Sequence, residues 1–355
     1  MALELRNLAK RVGAETYIHE TNLILAEMGF NILLGTTLSG KTTLMKLMAG
    51  IDKPTSGEIW FKGGNVTESP VQKRNVSMVY QQFINYPNMT VYDNIASPLR
   101  VAKVAKGEID DRVSQVANLM RITPMLARMP SELSGGQQQR TAMARALVKD
   151  ADLVLLDEPL ANLDYKLREE LRDELPKLFA GRDCTVVYAT TEPGEALLLG
   201  GHTALLHEGS VVQYGPTSDL YRRPESLRAA RVFSDPPINT AEITKSGDKI
   251  VMAAGLEWDV GGRLGSLPDG AYTIGVRPHH IEPRASNGHS VPIRGRVLVT
   301  EISGSESVIH FELAGHTWVS QSHGVHPLEV GEEAQLYADL GRALFFDPAG
   351  KLVAG

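Results

Sequence analysis

The stretch Gly35-Thr36-Thr37-Leu38-Ser39-Gly40-Lys41-Thr42-Thr43 has the residue types needed to hold a polyphosphate. Its spacing is G-x-x-x-x-G-K-[ST]: glycines let backbone N–H groups converge on a phosphate, a lysine reaches the β- and γ-phosphates, and a hydroxyl ligates Mg²⁺. Here Lys41 supplies the charge and Thr42 the hydroxyl. The pattern has this meaning only between a strand and a helix. Asn31–Leu34 reads as a strand, and Thr43–Ala49, closed by Gly50, reads as a helix with a glycine stop. The helix N-terminus adds its dipole at the same point. Taken alone, the stretch also describes a glycine turn before a helix with no ligand.

Two further stretches narrow the choice. Leu153-Val154-Leu155-Leu156-Asp157-Glu158-Pro159 sets an acidic pair at the end of an apolar, strand-like run. An Asp there can hold a Mg²⁺ shell, and the adjacent Glu can polarise an attacking water. Leu133-Ser134-Gly135-Gly136-Gln137 leads into a helix expected over Gln137–Val148, a second anion-binding helix N-terminus that faces elsewhere than the first.

These residues need elements to position them. At 355 residues the chain is long for one domain and comfortable for two. Its 43% hydrophobic and 22% charged residues suit a soluble protein with buried cores. A net charge of −6 argues against nucleic acid as a partner. The single cysteine, Cys184, excludes an intramolecular disulfide and suits a reducing compartment. The first residues lack a signal-peptide pattern, and no run reaches the ~18 apolar residues of a membrane span. The most apolar stretch, Glu195–Leu206, is broken by Gly200-Gly201 into helix, turn and strand.

Val76–Tyr80, Ala151–Leu156 and Cys184–Ala189 are continuous apolar runs, as central parallel strands covered on both faces require. Leu3–Leu8 and Thr21–Ala26 alternate like half-buried strands. Residues 88–150 turn mainly helical, with Ile109, Val113, Val116, Leu119 and Met120 at helix spacing. A charged helix over Tyr165–Ala180 places Leu167, Leu171, Leu175 and Leu178 on one side, with a kink expected at Pro176. Pro236-Pro237 cannot continue a helix and sets the expected domain boundary. The expected architecture is therefore α/β over residues 1–235, with a helical subdomain near 88–150. Over 236–355, short β-like runs separated by glycine-rich turns suggest a small OB-like, all-β barrel.

The order of these stretches, with Val79-Tyr80-Gln81 before the Leu-Ser-Gly-Gly-Gln segment and Leu163-Asp164 after the acidic pair, resembles ABC-type ATPase domains. The resemblance covers roughly residues 1–235. It implies ATP and Mg²⁺ as cofactors, with Lys41 and Glu158 catalytic and Thr42, Gln81 and Asp157 around the metal. It also implies a head-to-tail dimer in which Ser134, Gly135, Gly136 and Gln137 reach the partner's γ-phosphate and Asp164 crosses the seam. Ile274–Ile281 and Leu344–Asp347 resemble the barrel extension of sugar-type importer ATPases of the maltose-importer kind, where the extension holds the dimer and receives regulatory partners. Val79–Pro87 and Ala189–Pro193 resemble one of the two distinct ATPase subunits of bacterial glycerol importers.

Three positions depart from that pattern. Val12, just before Gly13, stands where relatives carry the aromatic that stacks on adenine, and Tyr17 is offset from that spacing. Leu38 replaces a small residue inside the phosphate loop. Thr191 stands where relatives carry a histidine that bonds the γ-phosphate, and a short hydroxyl has neither its reach nor its charge. His202 and His207 fall beyond the following helix.

The resemblance implies an energy-coupling ATPase on the cytoplasmic face of the inner membrane, bound peripherally to two permease subunits and served indirectly by a solute-binding protein. The implied solute is glycerol or a related polyol, with a sugar or glycerol phosphate as the alternative. The missing histidine favours a heterodimer with a second ATPase subunit over a homodimer. It also raises the alternative of a catalytically weak subunit that completes its partner's site. ABC proteins that act on ribosomes or DNA carry tandem ATPase domains or long coiled-coil insertions, and neither feature is in this sequence.

Overall fold

The apolar runs on either side of the phosphate loop pair with one another. The computed structural model describes residues 3–27, 29–161, 163–252, 256–259, 265, 267–285 and 290–355. Among the described residues, ten strands precede residue 218: β1 (Leu3–Val12), β2 (Glu15–Ile24), β3 (Gly29–Leu34), β4 (Ser56–Phe61), β5 (Gly64–Asn65), β6 (Val76–Val79), β7 (Leu153–Asp157), β8 (Thr185–Thr190), β9 (His202–His207) and β10 (Ser210–Pro216). The larger sheet has the order β10-β9-β3-β8-β7-β6 and is parallel except for its β9–β10 edge. Every residue of β7 and β8 is buried, as continuous apolar runs demand. The smaller sheet, β2-β1-β4-β5, is antiparallel.

Helix α1 (Lys41–Ala49) lies between the two sheets. Leu44, Met45, Leu47 and Met48 share one core with Leu5, Ile18 and Ile59 of the smaller sheet and Leu155 and Val187 of the larger. Burial of each such side chain is worth about 1.5–3 kcal/mol, so the helix that presents Lys41 is fixed on two faces. Gly50 ends it in the left-handed region (φ 74°). The Arg74 guanidinium then donates to the carbonyls of Met48 (3.1 Å), Ser69 (3.1 Å) and Val66, holding the C-terminal end.

Between β6 and β7 run α2 (Val91–Val101), α3 (Lys106–Leu119) and α4 (Gly135–Leu147), where a helical subdomain was expected. They are followed by α5 (Tyr165–Phe179) and α6 (Pro193–Leu199). In α5 the fourth inward position belongs to Phe179, not Leu178, because the buried face advances four residues at a time through Leu167, Leu171 and Leu175. Among the described residues, no helix is long and apolar enough to cross a membrane.

The chain divides into two compact units, Met1–Ser218 and Asp219–Gly355, so the division precedes the proline pair expected to mark it. The reason is packing. The second unit takes in the end of α7 (Thr217–Arg222) and all of α8 (Leu227–Val232). Leu227 and Ala230 lie against Ile238, Leu344, Phe346 and Leu352. Buried Arg277 donates to the carbonyls of Phe233 (2.8 Å) and Tyr221 (2.7 Å). Pro236-Pro237 leads instead into the first strand of this unit.

The strands of the second unit are β11 (Asn239–Ser246), β12 (Lys249–Met252), β13 (Leu256–Asp259), β14 (Gly270–Val276), β15 (Ile281–Glu282), β16 (Ser290–Ile302), β17 (Glu306–Leu313), β18 (His316–His323), β19 (Glu333–Asp339), β20 (Leu344–Phe346) and β21 (Leu352–Ala354). They form sheets of order β13-β12-β11-β14-β20-β21 and β15-β19-β16-β17-β18. One core, including Ile274, Ile293, Ile309, Phe311, Trp318 and Phe345, lies between them, giving the OB-like, all-β unit expected.

A fragment comprising residues 219–355 is expected to melt about 10 °C above one beginning at Pro236, since the shorter piece loses the α8 contacts and both Arg277 acceptors. Circular dichroism melts check this, and equal midpoints would return the boundary to the prolines.

Candidate functional site

The loops after β3, β6, β7 and β8 leave the same edge of a parallel sheet, the carboxyl edge at which open α/β sheets bind ligands. The first is the phosphate loop. Gly40 takes φ +102° at the N-cap of α1 and offers no side chain to the free N–H groups of the first turn. Lys41 is only 5% exposed. Its Nζ donates to the carbonyls of Gly35 (2.8 Å) and Thr36 (3.0 Å) and lies 3.5 Å from Glu158 Oε1. Burial pulls its pKa down, opposed by the Glu158 and Asp157 carboxylates.

Asp157, at the end of β7, is 1% exposed. Its Oδ2 accepts from Thr42 Oγ1 at 2.8 Å, while its buried Oδ1 has no hydrogen-bond partner among the described residues. Burial raises the pKa of this carboxyl group, and the Thr42 hydrogen bond lowers it. An unpaired buried carboxylate oxygen beside a hydroxyl suits a small hard cation. Mg²⁺ takes one or two carboxylates and completes its shell with water and phosphate oxygens. The described residues hold no cluster of three His, Cys, Asp or Glu, so phosphate oxygens would have to complete the shell. Gln81 closes the group, its Nε2 donating to Glu158 Oε2 at 3.1 Å. Glu158 itself has φ +45°, rare for a residue with a Cβ, and its N–H donates to Ala189 O at 3.0 Å.

A cleft of about 540 Å³ opens over this group. Thr37 to Thr43, Gln81 and Glu158 form one wall, and Tyr17, His19, Glu208 and Gly209 contribute to the other. Two glycines permit that second wall. A Cβ on Gly209 would stand 2.5 Å from the Tyr17 carbonyl oxygen, and one on Gly40 3.3 Å from it. Strand β2 is tied in by His19 N–H to Gly209 O (2.9 Å) and Gly209 N–H to Ser39 O (3.0 Å).

Val12 is 56% exposed at the rim of the cleft, next to Glu15 and Thr16, which contribute to its wall. It pairs with Glu15 at the tip of the β1–β2 hairpin, and Tyr17 stands in the wall instead. Leu38 takes φ +67° and is 95% exposed, so its bulk goes to solvent at a backbone strain of roughly 1–2 kcal/mol.

Ser134 to Gln137 and Asp164 lie outside this cleft. Ser134 caps α4, accepting from Gln137 N–H (3.4 Å) while its own N–H donates to Gln137 Oε1 (3.0 Å). Ser134 and Gly135 are exposed. Asp164 caps α5 by accepting from Leu167 N–H at 3.0 Å, and it too is exposed.

Thr191 sits exposed in the bend after β8. Its neighbours are fixed by buried Glu195, which accepts from Tyr188 Oη (3.0 Å), Thr190 Oγ1 (2.6 Å) and the Arg168 guanidinium (2.8 Å), while Arg168 also pairs with Glu192. Burial, then the Glu195 charge, pushes the Tyr188 phenol well up. Among the described residues, the one imidazole on the cleft wall is His19.

Residues 18–161 match the ABC transporter family and residues 274–346 the TOBE domain family. The sn-glycerol-3-phosphate import ATP-binding protein UgpC of Ralstonia nicotianae is 33% identical over 98% of this chain and 96% of its own. The trehalose/maltose import ATP-binding protein MalK of Thermococcus litoralis is 35% identical over 95% of each chain. Among solved structures, a dimeric ATP-binding cassette in a post-hydrolysis state, bound to ADP and Pi, aligns with TM-score 0.55 and 28% identity over 61% of this chain and 98% of its own.

Lys41→Ala is expected to weaken ATP binding by roughly 10- to 150-fold, the loss of a charged hydrogen bond of about 1.5–3 kcal/mol. Titration with a fluorescent ATP analogue measures it, and unchanged affinity would remove the phosphate-loop assignment. Tyr17→Ala is expected to weaken ATP several-fold while leaving inorganic tripolyphosphate unchanged, because stacking acts on the base alone. A parallel loss for both ligands would place Tyr17 in the framework and not against the base.

Proposed function

The chain belongs to the ABC transporter family of ATPases, and from that premise we propose that it powers an importer of a small polyol, glycerol or a close relative. The observation that carries the chemical part is the desolvated Lys41 ammonium beside Thr42, Asp157 and Glu158. On binding ATP, Lys41 exchanges its loop carbonyls for β- and γ-phosphate oxygens. Thr42, Asp157 and Gln81 would hold Mg²⁺, which would supply positive charge to offset the negative charge of the phosphates. Glu158 orients a water molecule and accepts its proton, and Gln81, bonded to Glu158, registers the change. The products are ADP and phosphate.

Ser134 to Gly136 and Asp164 lie on the surface away from this chain's own cleft, which supports a head-to-tail pair in which they serve the partner's nucleotide. The chain acts at the cytoplasmic membrane face, on two permease subunits fed by a solute-binding protein. The sugar and glycerol-phosphate substrates in the relatives' names support a polyhydroxylated solute. The Val79–Pro87 and Ala189–Pro193 segments favour glycerol within that class.

Thr191 favours a second reading. With no imidazole after β8, the site on Gly35–Thr43 turns over slowly and binds ATP mainly to hold the pair closed. A different ATPase subunit then supplies the complete site, covered by Ser134 to Gly136 of this chain.

Deleting the gene is expected to abolish uptake of labelled glycerol but not of maltose or glycerol phosphate, and normal glycerol uptake would overturn the solute assignment. In the complemented strain, Gly135→Asp should reduce uptake more than Glu158→Gln, because a carboxylate there repels the partner's γ-phosphate. The reverse order, or brisk turnover by the purified chain alone, would favour a symmetric homodimer.

A further inference from the structure

Gln139 is the third glutamine of a polar run near the start of a helix, yet it is 2% exposed. Its Nε2 donates to the carbonyl of Pro159 at 2.7 Å in the interior. Its Oε1 has no hydrogen-bond partner among the described residues. Burying an amide with one end unsatisfied costs about 1–3 kcal/mol, so as mere filler a methionine or leucine would serve better. The bond to Pro159 is what the amide contributes.

Pro159 follows Glu158, whose backbone sits at φ +45°. Such a conformation persists where its surroundings over-determine it. Two contacts flank it: Glu158 N–H to Ala189 O at 3.0 Å on one side, and Gln139 to Pro159 O at 2.7 Å on the other. The first comes from β8 in the same sheet. The second comes from α4, the helix that Ser134 caps, less than two turns from its start. The next residue, Arg140, has its pKa lowered by burial, opposed in part by the charge of Asp164.

We propose that Gln139 is a positioning residue for Glu158, fixing the turn that aims its carboxylate and tying that turn to the helix whose N-terminus would meet a second nucleotide. This rests on Glu158 being the residue that polarises water. A displacement of Ser134 then reaches Pro159 through α4 and the Gln139 amide, which links the two halves of the nucleotide chemistry within one chain.

The test uses the full chain in excess over ATP, measuring single-turnover hydrolysis, affinity for a fluorescent ATP analogue and the thermal midpoint. Gln139→Met keeps the length and removes the donor. Hydrolysis is expected to slow about tenfold, equivalent to one neutral hydrogen bond, with affinity within about twofold. Gln139→Glu keeps the shape and donates to Pro159 only when protonated, so its rate relative to wild type is expected to fall as pH rises.

Wild-type hydrolysis by the Met variant, or equal losses of rate and affinity, would overturn the proposal. So would a Glu variant whose pH profile runs parallel to wild type, and that profile alone decides if the Met variant does not fold. A single-turnover rate that Glu158→Gln leaves unchanged would instead overturn the role of Glu158, a failure separable from that of Gln139.

Discussion

A primary ammonium taken out of water needs partners, and the first unit is arranged around that demand. Lys41 is buried among two loop carbonyls and one carboxylate, none of which satisfies it as fully as an anion with several oxygens. The loop carbonyls are already turned toward it, and the free N–H groups of α1 converge on the same spot. The result is a pocket with an electrostatic preference for phosphate, set by the fold before any ligand arrives.

The strand order is what makes this arrangement possible. With β3 between β8 and β9, and β7 next to β8, the phosphate loop, the acidic pair and the Thr190–Glu192 bend leave one edge side by side. Glu195 and Arg168 then brace that bend against α5. A pair this deeply placed adds little net stability over an apolar replacement, but losing either partner alone is costly. Its effect is to allow one position of the bend. Thr191 is therefore displayed, exposed, on a bend whose flanking residues Thr190 and Glu192 are both held.

Much of this was legible in the sequence, and the exceptions have physical causes. The β3–loop–α1 unit could be read because glycine spacing, apolar runs and a glycine stop are all local signals. The helical insertion and the all-β second unit were legible for the same reason. Ile274–Ile281 and Leu344–Asp347, far apart in the chain, even prove to be neighbours, with Ile274 opposite Phe345.

What could not be read depends on contacts distant in sequence. Tyr17 reaches the cleft because β2 is tied to Gly209, almost two hundred residues on. The unit boundary moves because Leu227 and Ala230 find a sheet formed by the end of the chain. Gln139, inside a polar run, carries no local sign that it will be buried.

The register of β3 also has a consequence for biosynthesis. β3 ends at Leu34, but its two neighbours are β8, which begins at Thr185, and β9, which begins at His202. A ribosome adding 5–20 residues per second needs roughly 8–30 s to make the chain between β3 and β8. For that interval Phe30, Ile32, Leu33 and Leu34 have no sheet to join, although they will be buried in the finished protein. The nucleotide pocket is thus among the first stretches to be synthesised and among the last to take shape. A chain stopped before about residue 185 would display its phosphate loop without either strand that flanks β3.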